Sequence, residues 1–183
     1  MSQGIVIVIG GLHGTGKSTC ARILAKELKL RYVSSGEYFR TMARERGMTI
    51  EEFSHHAEKH HDVDEKVDSE MVQASRARKV VTEGQIAAHL IEKPDITVFL
   101  TAPKEVRIKR LSHRDGKSIK ESLRETEARE NSERKRYMRL YGIDVRDYSA
   151  YNLIIDTSKW SAEAVAKIIR MATEEYQKEK LNT

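Results

Sequence analysis

One stretch near the start of the chain constrains the fold more than any other: residues 4–19, with the sequence GIVIVIGGLHGTGKST. A short apolar run breaks into glycines and ends on one basic and two hydroxyl residues. The spacing from Gly11 to Gly16, followed by Lys17 and Ser18, fits a phosphate-binding loop, which requires a strand before it and a helix after it. Glycines let successive backbone N–H groups face a polyphosphate, and the helix start adds partial positive charge. The stretch therefore predicts a strand, a nucleotide-binding loop and a helix.

Within this loop, Lys17 would reach the β- and γ-phosphate oxygens, and the Ser18 hydroxyl would bind Mg²⁺. His13 occupies a variable position of the pattern and receives no role. The alternative is a glycine-rich turn that binds nothing, and the placement of both Lys17 and Ser18 argues against it. The candidate nucleotide-binding residues are Gly11, Leu12, His13, Gly14, Thr15, Gly16, Lys17, Ser18 and Thr19.

Length and composition favour one compact domain. A chain of 183 residues, 39% hydrophobic and 33% charged, can bury one good core but is short for two. We find no linker-like segment, internal repeat, secretion signal or apolar run long enough to span a membrane. The lone Cys20 cannot form an internal disulfide and suits a reducing compartment. We therefore expect a single cytoplasmic domain over residues 1–183, without a membrane segment.

The formal net charge of +5 is concentrated in residues 104–141, which hold 13 Lys and Arg against 7 Asp and Glu and so carry +6. A cationic helical face can be a solvated surface, a nucleic-acid surface or a lid over phosphates. We favour the lid, because two nucleotides brought together carry several negative charges that need arginines nearby. The residues at helical spacing are Arg107, Arg110 and Arg114, and further on Arg129, Glu133 and Arg136.

The rest of the chain alternates short β-branched runs with helical patterns, which implies a parallel sheet with helices on both faces. Strands are predicted at 31–33, 79–82, 96–100 and 153–155. Helices are predicted at 18–30, 50–59, 85–92 and 117–140. Further helices would start after Ser34, at Asp62 or Asp64, at Pro103 and at Ser161. On the last helix Ala164, Ile168, Ile169 and Met171 would face the core, and Trp160 would be a packing anchor.

Several motifs along the chain together resemble those of the archaeal-type cytidylate kinases, within the nucleoside monophosphate kinase family. They are the phosphate loop, SSGEYFR, TEG, APKEVRIKR and above all NSERKRYMRLYGIDVRDYSAYNLIIDTS. The resemblance covers nearly the whole chain and implies a three-layer P-loop kinase fold with a five-stranded parallel sheet. It divides the domain into a core (1–33, 79–106, 142–183), a helical lobe for the acceptor nucleotide (about 34–78) and a short lid (about 107–141). The implied reaction is phosphoryl transfer from ATP to CMP or dCMP with Mg²⁺, by a monomer or weak dimer that binds neither membranes nor nucleic acid.

Carried over residue by residue, the resemblance implies a site with three parts. Catalytic roles fall to Lys17, Arg110, Arg114, Arg129 and Arg136. Acceptor binding falls to Ser35, Arg40, Asp64, Asp68, Glu83, Gln85, Arg129 and Glu133. The third part follows from the residues themselves: Ser18 of the phosphate loop would bind Mg²⁺, and Glu83, at the end of a buried strand, would hold it through water or orient a substrate hydroxyl.

The chain departs from the family pattern at Gln85, where an arginine usually holds the acceptor phosphate, so the identity of the acceptor is open. Adenylate kinases carry Gly-Phe-Pro-Arg at this place, which makes AMP a poorer fit than CMP. The alternatives are a kinase for AMP, UMP or a non-nucleotide, and a nucleotide-gated module that binds RNA or protein. The histidines His55, His56, His60 and His61 lack a completing ligand and are interpreted as lobe surface.

Overall fold

The computed structural model describes residues 4–182, and this part of the chain forms five strands and eight helices. The strands are β1 (Val6–Gly11), β2 (Arg31–Ser34), β3 (Val80–Glu83), β4 (Ile96–Thr101) and β5 (Leu153–Asp156). The helices are α1 (Lys17–Glu27), α2 (Ser35–Glu45), α3 (Ile50–Lys59), α4 (Asp62–Arg76), α5 (Ala87–Leu90), α6 (Lys104–Asp115), α7 (Ile119–Tyr141) and α8 (Ala162–Leu181).

All strand pairs are parallel, and the sheet has the order β2-β3-β1-β4-β5. This arrangement confirms the predicted five-stranded parallel sheet. Strand β1 lies at the centre, paired with β3 on one side and β4 on the other, and all of its residues are buried. The carboxyl ends of the five strands meet at one edge, which is where open α/β sheets bind their ligands.

Three separate apolar clusters hold the fold together. On one face of the sheet, residues of β1 and β4 pack against α1 and α8, for example Ile7 with Leu24 and Ile169. On the other face, Val8 and Val80 pack with Met71 and with residues of α5. The third cluster lies away from the sheet, within α2, α3 and α4. Its buried residues are Phe39, Ala43, Phe53, Ala57, Val63 and Val67.

Local sequence signals account for most helix ends. Ser34 and Ser161 accept a backbone N–H and cap α2 and α8, and Thr49 with Glu52 forms a complete capping box on α3. The prediction for α4 was wrong: His61 precedes it without a side-chain cap, and Asp64 lies inside the helix, where its carboxylate faces Arg136. The predicted helix at 85–92 is reduced to the four residues of α5, and Ile91 is extended and buried.

Two side-chain predictions near the end of the chain were also wrong. Ile168 and Met171 are exposed, whereas Ile169 is buried as predicted, and Val165, Ala166 and Thr173 form the rest of the buried side of α8. Trp160 is 53% exposed and is therefore not a packing anchor. No helix within residues 4–182 is both long enough and apolar enough to cross a membrane.

Candidate functional site

A cavity of about 1150 Å³ opens at the carboxyl edge of the sheet. Its floor is formed by the loop between β1 and α1 together with residues that follow β3 and β5. Its walls are formed on one side by α2, α3 and α4, and on the other by α6 and α7. The cavity therefore joins the predicted phosphate loop to the helices that carry the predicted acceptor residues.

The phosphate loop has the backbone geometry that its glycines predict. Gly14 has a φ of +80°, and a Cβ there would lie 2.6 Å from the carbonyl oxygen of Arg107, so both conformation and space require glycine. The Leu12 carbonyl accepts hydrogen bonds from Thr15 Oγ1 (2.8 Å) and Lys17 Nζ (3.0 Å). Burial lowers the pKa of Lys17, while Glu83 and Glu133 oppose that shift. A phosphate entering the loop would replace the Leu12 carbonyl as the partner of this ammonium group.

Ser18 and Glu83, the two predicted Mg²⁺ residues, lie in direct contact. Ser18 Oγ donates to Glu83 Oε1 at 2.9 Å, and the same oxygen accepts hydrogen bonds from Ser34 Oγ and from the Tyr32 hydroxyl. Glu83 is buried at the end of β3, so this network fixes its orientation. A hydroxyl and a carboxylate are the hard oxygen ligands that Mg²⁺ prefers, and the pair therefore fits that ion.

The acceptor side of the floor is formed around the turn that follows β3. Gly84 lies so close to Ser35 that a Cβ there would be 2.6 Å from Ser35 Oγ. Gln85 is buried, 8% exposed, and its Oε1 has no hydrogen-bond partner within the described residues. Arg40 lies on α2 at the exposed rim of the same cavity. An unpartnered buried amide oxygen beside a cavity is a group that a ligand donor would satisfy.

Two carboxylates of α4 line the acceptor wall one helical turn apart. Asp64 is paired with Arg136 of α7, and its Oδ2 has no partner among the described residues. Asp68 accepts a hydrogen bond from the Tyr141 hydroxyl at 2.6 Å. Burial raises the pKa of Asp64, and it raises the pKa of Asp68 to about 6. These carboxyl groups are therefore poorly solvated and available to a ligand N–H.

Helix α7 contacts the phosphate loop through Glu133. Its Oε2 lies 2.7 Å from His13 Nε2, and its Oε1 accepts a hydrogen bond from Arg129 Nε at 3.0 Å. Burial raises the pKa of the Glu133 carboxyl, but His13 and Arg129 outweigh burial and hold that pKa well below its ordinary value. The sequence predicts for His13 only a place in the nucleotide-binding loop, because a contact between residues 13 and 133 leaves no local pattern.

The α6 arginines differ from one another although they share a helical spacing. Arg107 is buried and donates to the His13 carbonyl (2.8 Å) and to Glu130 Oε1 (2.6 Å). Arg110 donates to the Thr157 hydroxyl and carbonyl at 2.9 and 2.7 Å, and Arg114 pairs with the adjacent Asp115. Thr157, which follows β5, also donates to the Thr15 carbonyl at 3.0 Å. Its position at the carboxyl end of a strand was the available signal that it belongs to the site.

Most of the predicted site residues line this one cavity. Three of them do not: Gly11, the last residue of β1, its neighbour Leu12, and Arg136, which is 1% exposed and paired with Asp64. The rings of His56 and His60 stack with their centroids 3.9 Å apart. Within residues 4–182 no group of three or more His, Cys, Asp or Glu side chains could hold a metal ion. The predicted residues that line the cavity are His13, Gly14, Thr15, Gly16, Lys17, Ser18, Thr19, Ser35, Arg40, Asp64, Asp68, Glu83, Gln85, Arg110, Arg114, Arg129 and Glu133.

Comparisons with known proteins agree on one family. A model described as the cytidylate kinase-like family matches residues 6–159. A cytidylate kinase of Pyrococcus abyssi is 45% identical over 168 residues, which cover 92% of this chain and 93% of that protein. A cytidylate kinase of Methanocaldococcus jannaschii is 43% identical over 178 residues, covering 95% of this chain and 100% of that protein.

Solved structures agree on the fold. The structure of thymidylate kinase from Candida albicans superposes with a TM-score of 0.57 and 15% sequence identity, covering 96% of this chain and 93% of that chain. At this level of identity the likeness concerns the fold alone, which is the predicted P-loop kinase fold.

Proposed function

The chain belongs to the cytidylate kinase-like family, and from that premise we propose that it transfers the γ-phosphoryl group of ATP to CMP or dCMP in the presence of Mg²⁺. It is a nucleoside monophosphate kinase. One observation supports the specific reaction most strongly: a single cavity is lined both by the phosphate loop and by the polar side chains of α2 and α4. A donor triphosphate and an acceptor monophosphate bound in this cavity would have their phosphate groups next to each other, with no protein between them.

The proposed chemistry requires positioning and charge neutralisation rather than a general base. An acceptor phosphate oxygen, already ionised, attacks the γ-phosphorus, and the bond to the β,γ-bridging oxygen breaks to release ADP. Lys17 would leave the Leu12 carbonyl, 3.0 Å away, to bind the β- and γ-phosphates. Arg110, Arg114 and Arg129 line the cavity and would neutralise the charge spread over the transferred group.

The divalent ion would be held by the Ser18 hydroxyl and, through water, by the Glu83 carboxylate. In support, both residues line the cavity, and Ser18 Oγ lies 2.9 Å from Glu83 Oε1. Mg²⁺ held by these residues would offset the negative charge of the phosphates. The hydrogen bonds from Ser34 and Tyr32 keep the Glu83 side chain at this position when no ion is bound.

On the acceptor side, we propose that Asp64 and Asp68 accept hydrogen bonds from the cytosine amino group. The free Oδ2 of Asp64 and the raised pKa of Asp68 both support a role in which a ligand N–H replaces lost solvation. Ser35, Arg40 and Gln85 would hold the acceptor phosphate. Arg136 would act from behind the wall by orienting Asp64.

A kinase for another acceptor is the second candidate, and Gln85 is the observation that favours it. An amide cannot form the bidentate charged contact that an arginine forms with a phosphate. Replacing Gln85 by Arg should therefore raise kcat/KM by about tenfold or more, the effect of about 1.4 kcal/mol, for each monophosphate whose phosphate lies at this position. Unchanged values with CMP, dCMP, UMP and AMP would show that the acceptor phosphate does not bind beside residue 85.

The main test is ADP formation measured in a coupled assay with ATP, Mg²⁺ and each monophosphate in turn. We expect CMP or dCMP to give the highest kcat/KM, and Lys17→Ala to abolish most of this activity. Lys26→Ala is a matched control, because Lys26 is an exposed lysine on the same helix. ATP turnover that is the same with and without every monophosphate would refute the proposal.

The same proposal covers location and assembly. We place the enzyme in the cytoplasm, where nucleotide pools are found, and expect a monomer or weak dimer. The support for a monomer is that residues from one chain line both ends of the cavity.

A further inference from the structure

His13 lies in the phosphate loop, yet its side chain contacts the opposite wall of the cavity. Its Nε2 atom is 2.7 Å from Glu133 Oε2 on α7, a residue 120 positions away in sequence. Its carbonyl oxygen accepts a hydrogen bond from Arg107, which is itself paired with Glu130 of α7. His13 therefore links the loop to α7 in two ways, directly through its side chain and indirectly through Arg107 of α6.

The direction of the His13 hydrogen bond follows from the charges around it. The Glu133 carboxyl is held ionised by the charges of Arg129 and Arg136 and by the hydrogen bond from His13, so it can only accept. Burial and the neighbouring Arg129 and Lys17 lower the pKa of His13, while Glu133 opposes them. A neutral imidazole with its proton on Nε2 satisfies both conditions.

Glu133 passes this constraint on to Arg129. The contact uses Arg129 Nε, at 3.0 Å, which leaves the two terminal nitrogens of the guanidinium group to point at a ligand. The guanidinium carbon also lies 5.8 Å from the centre of the Phe39 ring on α2. Arg129 is thus oriented by Glu133 on one side and by the Phe39 ring on the other, and His13 holds Glu133 in place.

We propose that His13 is a positioning residue for phosphoryl transfer, which holds Glu133 and, through it, the Arg129 guanidinium in register with the phosphate loop. The inference rests on the proposed function, since it assigns Arg129 to the transferred phosphate. The His13 side chain itself does not contact the reacting atoms. Its contribution is to couple the wall that carries Arg129 to the loop that holds the donor.

The test compares two substitutions of His13. His13→Leu removes the N–H donor, whereas His13→Gln keeps an amide N–H near the position of Nε2. We expect His13→Leu to lower kcat about 10- to 100-fold, the cost of a catalytic group displaced by about 1 Å, and His13→Gln to stay within about threefold of wild type. The KM for ATP should change little in either variant, because the loop backbone and Lys17 bind the phosphates. His113→Leu, at an exposed position on α6, is the matched control.

A double-mutant cycle tests the route through Glu133. If His13 acts by holding that carboxylate, His13→Leu combined with Glu133→Gln will be about as slow as the slower single variant. Multiplied effects of the two substitutions would overturn the proposal. So would equal losses of kcat in His13→Leu and His13→Gln, or a selective rise in the KM for ATP, which would indicate direct contact with the nucleotide.

A readout that does not depend on turnover separates this inference from the proposed function. Nitrogen-15 NMR of the histidine ring should show His13 neutral at pH 7 with its proton on Nε2, and the Nδ1–H tautomer would overturn the assignment. A wild-type enzyme that phosphorylates no monophosphate would refute the proposed function and leave the NMR result valid. An active wild type with an equally fast His13→Leu variant would refute the inference alone.

Discussion

The buried ion pair between Arg136 and Asp64 makes a sharp prediction for stability. The two side chains are 1% and 5% exposed, and they join α7 to α4 behind the acceptor wall. Replacing Arg136 by Met keeps an unbranched apolar stem of similar length but leaves the Asp64 carboxylate buried without a counter-charge. Removal of one partner from a buried pair costs about 3–5 kcal/mol, because the remaining charge is uncompensated.

The size of this loss should depend on pH in a defined direction. Burial already raises the pKa of Asp64 while Arg136 is present, and without Arg136 that pKa rises further. A carboxyl whose folded-state pKa is raised destabilises the fold above that pKa and loses the penalty as it becomes protonated. We therefore expect Arg136→Met to lower the free energy of unfolding by about 3–5 kcal/mol at pH 8 and by clearly less at pH 5.

Equilibrium urea unfolding at both pH values measures the effect. The double variant Arg136→Met with Asp64→Leu should recover most of the stability at pH 8, since a well-packed apolar pair can replace a buried ion pair. Arg134→Met, at an exposed position on the same helix, should change stability by less than about 0.5 kcal/mol. A loss below about 1 kcal/mol for Arg136→Met at pH 8, or the same loss at pH 5, would refute the reasoning.

Three further predictions concern other groups. Burial raises the pKa of Asp68 from 3.8 to about 6, so the ionised carboxylate costs the fold about 3 kcal/mol of stability. Asp68→Asn should therefore be more stable than wild type at pH 8 and lose that advantage below pH 5. A stability difference that does not change with pH would contradict this. The sole tryptophan, Trp160, lines the cavity, so saturating ATP should change its fluorescence and unchanged emission would count against donor binding there. Cys20 is 1% exposed, and burial raises the pKa of its thiol to about 12. A thiol reagent should therefore modify Cys20 within seconds in the unfolded protein but only slowly in the native protein. Fast modification of the native protein would refute the burial of Cys20.

The features that the sequence predicted well are those with a local physical cause. The glycines of the phosphate loop, the Thr49 capping box and the β-branched strands each depend on neighbouring residues alone. Strands β3 and β4 lack alternation because both faces are covered, and the same fact places them inside the sheet. The phosphate-loop residues followed from their own spacing, whereas the acceptor residues Asp64, Asp68 and Gln85 followed from the resemblance to a known family, because no local pattern brings them together.

The predictions that failed concern residues whose environment is set by distant parts of the chain. Asp64 was one of two residues predicted to cap α4, but it lies inside the helix, where its carboxylate pairs with Arg136, 72 positions away. Met171 and Ile168 were assigned to the buried side of α8, but the face that packs on the sheet is set by Val165 and Ile169. Trp160, next to Ser161, was predicted to be a packing anchor before α8, but it is 53% exposed and lines the cavity.

The separate apolar cluster of α2, α3 and α4 has an evolutionary consequence. Because α2, α3 and α4 have an apolar cluster of their own and Met71 of α4 is the member of the sheet cluster that they supply, substitutions in that separate cluster that retune the choice of acceptor can accumulate with little effect on the framework that holds the donor. The three helices form an exchangeable module, which an engineer could graft between related enzymes. The junctions to preserve in such a chimera are Met71 against the sheet, the Arg136–Asp64 pair, and the contact of α3 with α7, where Ser132 Oγ donates to the Ser54 carbonyl at 3.4 Å.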